Sequence, residues 1–476
     1  MKLSLLAKDL FSCSPYENLD ISSVTDCSDG VTPGALFVAL RGRRSDGHAY
    51  LNAAAARGAL CAVVCAPVEN APIPTFLVTD TREVFGRLCS NFYGNPSKDL
   101  ILTGITGTNG KTSTAYMLDH CLRSCGISSA LIGTVGTDDG ATFGRSTLTT
   151  PAPDLLHRIF GRAKENGCTH TVMEVSSQSL DQSRTAGIDF ELGVFTNLTV
   201  DHLDYHGSMQ AYRDAKLKLF AQCRRFLVNG DSDYAAPFLA FNGAKSFSVT
   251  HKADFTAHRI RMTGNGVTYS QRSPLGSREV FLPVWGRFSV YNSLGALAAA
   301  ELLGLDPDRC AAALASFPGV PGRMESVGEN LPFRLLIDYA HTPDGLENVL
   351  RSLRETTVGR LILLFGCGGD RDAGKRPEMG RIASRFADYV IVTNDNPRSE
   401  DPQSIIDRIL QGMQGSSYRV IPDRTEAIRA AIRLAKASDT VLLAGKGHET
   451  SQILSDRTVH CDEREIARKI LKEEGY

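Results

Sequence analysis

Thr106-Gly107-Thr108-Asn109-Gly110-Lys111-Thr112-Ser113 decides how the rest of the chain is read. It follows an apolar run, Ile101-Leu102-Thr103-Gly104-Ile105. It opens a segment with Ala115, Leu118 and Leu122 on one helical face. Strand, glycine-rich turn and helix in succession aim backbone N–H groups at a helix N-terminus, where the helix dipole also favours anions. Lys111 adds a charge for a terminal phosphate, and the Thr112 hydroxyl suits Mg²⁺. A nucleoside triphosphate is the expected ligand. The spacing departs from the usual P-loop, which has glycine five residues before the second glycine. Here that position is Ile105.

Outward from this turn, size and composition set bounds. A chain of 476 residues is too long for one core, and three domains are expected. A hydrophobic content of 42% and a charged content of 22% are those of a soluble globular protein. The net charge of −1 offers no basic field for nucleic acid. No apolar run approaches the roughly 18 residues that span a membrane. Leu5-Leu6-Ala7 is too short for the core of a signal peptide. The twelve cysteines form no CxxC pair. Cys121 and Cys125 are spaced as one helical turn, as are Cys61 and Cys65. Reduced thiols in a cytoplasmic protein are expected, without zinc or a disulfide framework.

Two seams divide the chain. Tyr93-Gly94-Asn95-Pro96-Ser97 precedes the P-loop strand, and Pro318-Gly319-Val320-Pro321-Gly322 ends a helical region. The expected domains are 1–97, 98–322 and 323–476. The first is a small α/β unit with a buried strand over 34–40 and an alanine-rich helix over 50–57. The second is a P-loop ATPase-type domain. The third is Rossmann-like, with four short apolar runs: Leu335–Ile337, Leu361–Phe365, Tyr389–Val392 and Val441–Ala444. Each is followed by a polar loop: Asp338–His341, Gly366–Arg371, Asn394–Arg398 and Gly445–Glu449. Ligands of open α/β sheets bind beyond the carboxyl ends of the strands. Four such loops imply a second ligand site, separate from the P-loop.

Three further residues bear on the phosphate chemistry. Glu174 ends the strand-like Val172-Met173-Glu174 and is a candidate Mg²⁺ ligand beside a P-loop. Thr199-Val200-Asp201-His202-Leu203-Asp204-Tyr205-His206 is a dense polar loop. It has no third His or Cys at zinc spacing, so His202 is read as a second Mg²⁺ ligand. Lys216 and Lys218 face different ways on a helix, and taken alone Lys216 reads as part of a solvated face.

Taken in order, TGTNGKTS, MEVSSQSLDQSR, NLTVDHLDYHGSMQAYRDAK, PGRME, DYAHTPDGL, GGDRDAGKRP, TNDNPRSEDP and AGKGHE resemble the Mur ligases over nearly the whole chain. Folylpolyglutamate synthetases are their relatives. The DNPR run resembles the branch that adds meso-diaminopimelate to UDP-N-acetylmuramoyl-L-alanyl-D-glutamate in peptidoglycan precursor synthesis. The resemblance implies a cytoplasmic monomer using ATP and Mg²⁺, with an acyl phosphate intermediate. It implies ATP contacts at Gly107, Thr108, Asn109, Gly110, Lys111, Thr112, Ser113, Asn292 and Arg323. The muramoyl-dipeptide would meet Ser28, Thr149, Thr150, Ser176, Gln182 and Arg184. Diaminopimelate would meet Arg371, Asp395, Asn396, Pro397, Arg398, Gly445 and Glu449. Lys216 falls where the family carries an N6-carboxylated lysine, an anion that binds Mg²⁺ with Thr112, Glu174 and His202. Lys111, Glu174, His202 and Lys216 are the implied catalytic set. Two positions depart from the pattern. Cys27-Ser28-Asp29 stands where Asp-Ser-Arg is usual, and Gln178 where His is common. The alternatives are a folylpolyglutamate synthetase and a lysine-adding Mur ligase.

Overall fold

The computed structural model describes residues 1–42, 45–263, 265–328, 330–415 and 417–476. The chain is α/β throughout, with three principal sheets in sequence order.

The first sheet is parallel, with Ser23–Thr25, Ala35–Val38, Cys61–Val64 and Thr75–Leu77 side by side in chain order. The strand expected over 34–40 is shorter, Ala35–Val38, and all four of its residues are buried. The alanine-rich helix is Leu51–Ala56, entered through a 3-10 turn over Gly47–Tyr50. Cys61 and Cys65 are not a helical turn apart, because Cys61 opens a strand. In Cys61-Ala62-Val63-Val64 the apolar run has strand length and is buried on both faces. A spacing of four alone does not distinguish that from a helix.

The second sheet has eleven strands. Its parallel centre runs Cys223–Asn229, Phe190–Phe195, Ile101–Thr106, His170–Glu174, Ser129–Ile132. The P-loop strand is therefore the middle strand, flanked by the strand that ends in Glu174. Lys245–Ser248, parallel to Cys223–Asn229, links this centre to an antiparallel meander over 255–282 at one edge, and a hairpin over 137–144 extends the other. Ala115, Leu118 and Leu122 of the helix Lys111–Ser124 are fully buried, as their spacing predicts. That helix packs against Arg287–Leu302, an Ala- and Leu-rich helix buried on most of its surface. Such a helix is apolar all round because it lies inside the domain.

The third sheet has the order Glu325–Ser326, Arg334–Asp338, Thr440–Ala444, Leu361–Phe365, Tyr389–Val392, Tyr418–Val420. Only the first, two-residue strand is antiparallel. Apolar clusters cover both faces, which is why the four central strands read as unbroken apolar runs. The edge strand Tyr418–Val420 carries no such run and escapes notice in the sequence. The chain passes from the second to the third sheet through Gly322 (φ +69°), where a Cβ would collide with the Gly447–His448 backbone. Glycine is required there for a close approach between two segments.

Candidate active site

Gly107 (φ +151°) and Gly110 (φ +85°) shape the phosphate turn. A Cβ at Gly107 would strike the Thr196 hydroxyl, and one at Gly110 the Asn292 amide oxygen. Asn292 is thus brought to the turn from a helix far along the chain. Lys111 Nζ donates to the Gly107 and Thr108 carbonyls, each at 2.9 Å. Burial lowers the pKa of this lysine, with Glu174 opposing the shift. The Thr112 hydroxyl donates to Glu174 Oε2 at 2.8 Å. Glu174 is fully buried and is held further by Thr134, through its N–H (2.7 Å) and its hydroxyl (3.1 Å). Adjacent hydroxyl and carboxylate oxygens at a phosphate turn form the hard donor set that Mg²⁺ takes.

Lys216 contradicts its reading as a solvated lysine. The helix Met209–Phe220 turns Tyr212, Ala215, Lys216, Leu219 and Phe220 inward, and Lys216 is 1% exposed. Its ammonium donates to the Gly107 carbonyl at 2.8 Å and lies 4.5 Å from the centre of the Tyr212 ring. Burial first, and Lys111 second, push its pKa far below that of an ordinary lysine. Lys218 does face outward, 3.2 Å from Asp181. His202 has φ +55° ahead of the short helix Leu203–His206. Burial lowers its pKa against the pull of Asp201, 3.4 Å away. Among the described residues no three His, Cys, Asp or Glu side chains gather as a metal-ligand group. The implied ligands Thr112, Glu174 and His202 line one cavity, whereas Lys216 reaches only the carbonyl behind the turn.

That cavity holds about 610 Å³ and has walls from two domains. Asp338, Tyr339 and His341 line it together with the P-loop. The first of the four strand-end loops therefore lines the same cavity as the P-loop turn. This corrects the expectation that all four loops serve a separate one. The strand Arg334–Asp338 lies next to the sheet's antiparallel edge, and Asp344 just beyond it accepts bonds from Asn109 (2.7 Å) and Thr199 (3.1 Å) of the central domain. Arg323 bridges the same seam. Its guanidinium stacks 4.5 Å from the Tyr339 ring centre, Nη2 is 3.4 Å from the Thr112 hydroxyl, and its buried Nε has no partner. Sequence reading missed Asp231, which also lines the cavity and accepts from Ser248, Val249, Thr250, His251 and Tyr291. It follows the strand Cys223–Asn229 closely, so the strand-end rule applied in the third domain would have found it.

Apart from Ser28, the residues expected to hold the acceptor join a single network. The Thr150 hydroxyl donates to the Glu174 carbonyl (2.9 Å) and accepts from the Ser176 N–H (3.0 Å). Arg184 donates to the Thr150 carbonyl (2.9 Å) and to Gln182 (2.7 Å). Thr149 meets the Thr134 hydroxyl at 3.0 Å. Ser28 lies in the first domain, where Arg57 donates to its carbonyl (3.0 Å) and pairs with Asp29 (2.8 Å). Nothing in the structure explains Gln178.

The other three loops do converge. Asn396 Nδ2 donates to Glu449 Oε2 at 2.8 Å. Arg398 (φ +54°) donates to the Gly369 carbonyl at 2.7 Å. The Pro397 carbonyl packs so closely on Gly369 that no Cβ fits there. Gly445 (φ +112°) leaves room for Asp395, whose carboxylate would lie 2.8 Å from a Cβ. Arg371 is exposed and donates to the Asp370 carbonyl. Lys446, assigned no role from the sequence, is buried among them.

A phosphate turn backed by a buried carboxylate, opening into a cavity completed by a separate charged domain, defines a three-domain P-loop enzyme. Three family models match in order: "Mur ligase family, catalytic domain" over 20–93, "Mur ligase middle domain" over 105–300, and "Mur ligase, glutamate ligase domain" over 322–447. The chain is 41% identical over 464 residues to UDP-N-acetylmuramoyl-L-alanyl-D-glutamate--2,6-diaminopimelate ligase of Halalkalibacterium halodurans, covering 96% of this chain and 95% of that protein. It is 42% identical over 480 residues to the first such ligase of Clostridium acetobutylicum, covering 99% and 98%. A solved structure of a ligase with that name superposes with a TM-score of 0.72 at 31% identity, covering all of both chains. The chain belongs to the Mur ligase family.

Proposed function

We propose that this enzyme joins meso-diaminopimelate to the D-glutamate carboxylate of UDP-N-acetylmuramoyl-L-alanyl-D-glutamate, using ATP, in peptidoglycan precursor synthesis. The observation that carries the reading is the shared cavity: the phosphate turn and Glu174 face a wall supplied by the domain that holds Asp395, Arg398 and Glu449. The names of the full-length relatives supply the substrates.

The chemistry follows from charge. A carboxylate and a polyphosphate repel each other, so cations and N–H donors must meet both. The turn amides, Lys111 and Arg323 would bind the phosphates, with Asn292 and Tyr291 toward the nucleotide. The acceptor carboxylate attacks the γ-phosphorus, the bond to the β,γ-bridging oxygen breaks, and ADP leaves. The amine then attacks the acyl carbon, loses a proton and expels phosphate. Thr112, Glu174 and His202, with Lys216 as its carbamate, are the residues that would hold Mg²⁺. The ion would supply charge neutralisation between phosphate and carboxylate. A lysine whose pKa is pushed well down carries more of its neutral amine form, the form that adds carbon dioxide, which supports the carbamate reading. Thr149, Thr150, Ser176, Gln182, Arg184 and Ser28 would hold the acceptor. Arg371, Asp395, Asn396, Pro397, Arg398, Gly445 and Glu449 would hold diaminopimelate.

The proposed domain limits are 1–97, 98–322 and 323–476. The proposed enzyme acts as a monomer. Twelve free thiols support a reducing, cytoplasmic setting. No described helix is long and apolar enough to cross a membrane. Phosphate release from ATP, measured with the UDP-muramoyl-dipeptide across a panel of diamino acids, tests the proposal. Release that ignores the dipeptide, or that favours another amine over diaminopimelate, overturns it.

A further inference from the structure

Lys446 stands where the strand Thr440–Ala444 gives way to the Gly445–Glu449 loop, and its side chain is 0% exposed. Its ammonium donates to Asn396 Oδ1 at 3.0 Å and to Glu449 Oε2 at 3.2 Å. Asn396 Oδ1 also accepts the Ile453 N–H at 3.0 Å, while Asn396 Nδ2 donates to Glu449 Oε2 at 2.8 Å. An amide can be seated in two orientations. Here a cation and an N–H lie on one side and a carboxylate on the other, so only one orientation satisfies all three. Asn396 is then used up internally and is 3% exposed. Glu449 has one oxygen held by two donors. Its other oxygen, Oε1, takes no partner among the described residues, on a side chain that is 30% exposed. A buried ion pair adds little stability over packed apolar side chains. Its effect here is to set orientation.

We propose that Lys446 is a positioning residue of the amine-donor pocket. It seats the Asn396 amide and one oxygen of Glu449, so that Glu449 Oε1 is presented to an ammonium group of the incoming diamino acid. The inference rests on the assignment of this pocket to the amine substrate and adds a residue and a division of labour to it. Lys446 acts through Asn396 and Glu449 and does not itself reach the substrate.

A double-mutant cycle on the full-length enzyme tests this, with KM for the diamino acid and KM for ATP measured separately. Lys446→Met is expected to raise KM for the diamino acid roughly ten- to a hundredfold, the loss of one hydrogen bond to a charged group, and to leave KM for ATP unchanged. In a Glu449→Gln background the same substitution is expected to add little, because its target is gone. Lys446→Gln, which keeps a donor without the charge and is less disruptive to a buried site, is read by the same cycle. Equal rises in both KM values, or effects that multiply in the double variant, overturn the proposal. Wild-type enzyme that ignores diaminopimelate but uses another diamino acid overturns the substrate assignment instead, and the cycle is then run with that amino acid.

Discussion

Lys216 and Lys446 are both shut away from solvent at the carboxyl ends of parallel sheets, one in the central domain and one in the third. Lys446 faces a carboxylate and an amide oxygen, 3.2 and 3.0 Å away. Lys216 has a single carbonyl and no ion-pair partner, and Lys111 acts on its charge more strongly than Asp201 does. A buried ammonium without an anion discharges by shifting its pKa, and one with an anion can remain an ion pair. The central domain has thus buried a lysine whose ordinary charged form is disfavoured, and the third domain one that locks its neighbours in place. The first arrangement suits chemistry on the lysine itself, and the second suits geometry around it.

Four experiments bear on that contrast. The largest effect is expected at the phosphate turn. Lys111→Ala should lower turnover by about 10²–10³ or more, as for losing a donor to developing charge, with the fold retained by circular dichroism. Near-normal turnover at saturating ATP would remove the turn from the chemistry.

Arg398→Ala is expected to cost about 2–5 kcal/mol in kcat/KM for diaminopimelate, as for truncating one member of a buried charged pair. Arginine's planar fork matches the distal carboxylate that lysine as substrate lacks. The preference over lysine should narrow in this variant. Arg398→Lys, which keeps the charge and loses the fork, should fall between. An unchanged preference would place Arg398 in loop architecture alone, through its bond to the Gly369 carbonyl.

Lys216→Ala should be nearly inactive, and a short carboxylic acid in the buffer should restore part of the activity. Lys216→Met separates the lysine's charge from its chemistry. In carbon dioxide-free buffer the folded state holds this lysine neutral at pH values where the unfolded chain protonates it. The unfolded state then binds more protons, so wild-type stability rises with pH between the depressed pKa and about 10.4. The stability gap between Lys216→Met and wild type should shift in favour of wild type across that window, by at most ~1.4 kcal/mol per pH unit. Denaturation midpoints of the two proteins that run parallel with pH would show a lysine that stays charged.

The smallest effect is expected at the domain seam. Asp344→Ala removes the acceptor of Asn109 and Thr199 and should raise KM for ATP severalfold, about 1 kcal/mol. No change would mean that this clasp does not help close the cavity.

Much of the molecule was legible before any coordinates. The turn from Thr106 to Ser113, the buried face of the helix behind it, and four of the six strands of the third sheet all follow from local pattern. Chain-wide motif order pointed to the family that the comparisons establish. The errors share a cause. Lys216 on a polar-looking helix, Cys61 four residues from Cys65, and the Asp338–His341 loop each have a local pattern with two readings. Packing with distant segments selects between them. Lys446 sits between two recognised glycines and looked like loop polarity, because nothing in its neighbourhood announces that Asn396 and Glu449 will close over it.

Residue spacing and side-chain periodicity over a few residues are enough to read the strand, glycine-rich turn and helix around Gly107–Ser113, the three-part division and the apolar strands of the third sheet. Packing alone sets two lysines on the Gly107 carbonyl, brings Asn292 and Arg323 to the turn, and makes one strand-end loop of the third domain a wall of the P-loop cavity. Apart from Lys111 on Gly107, those contacts join residues more than 100 positions apart. Their energies depend on which groups are removed from water together, and no local stretch of chain specifies that.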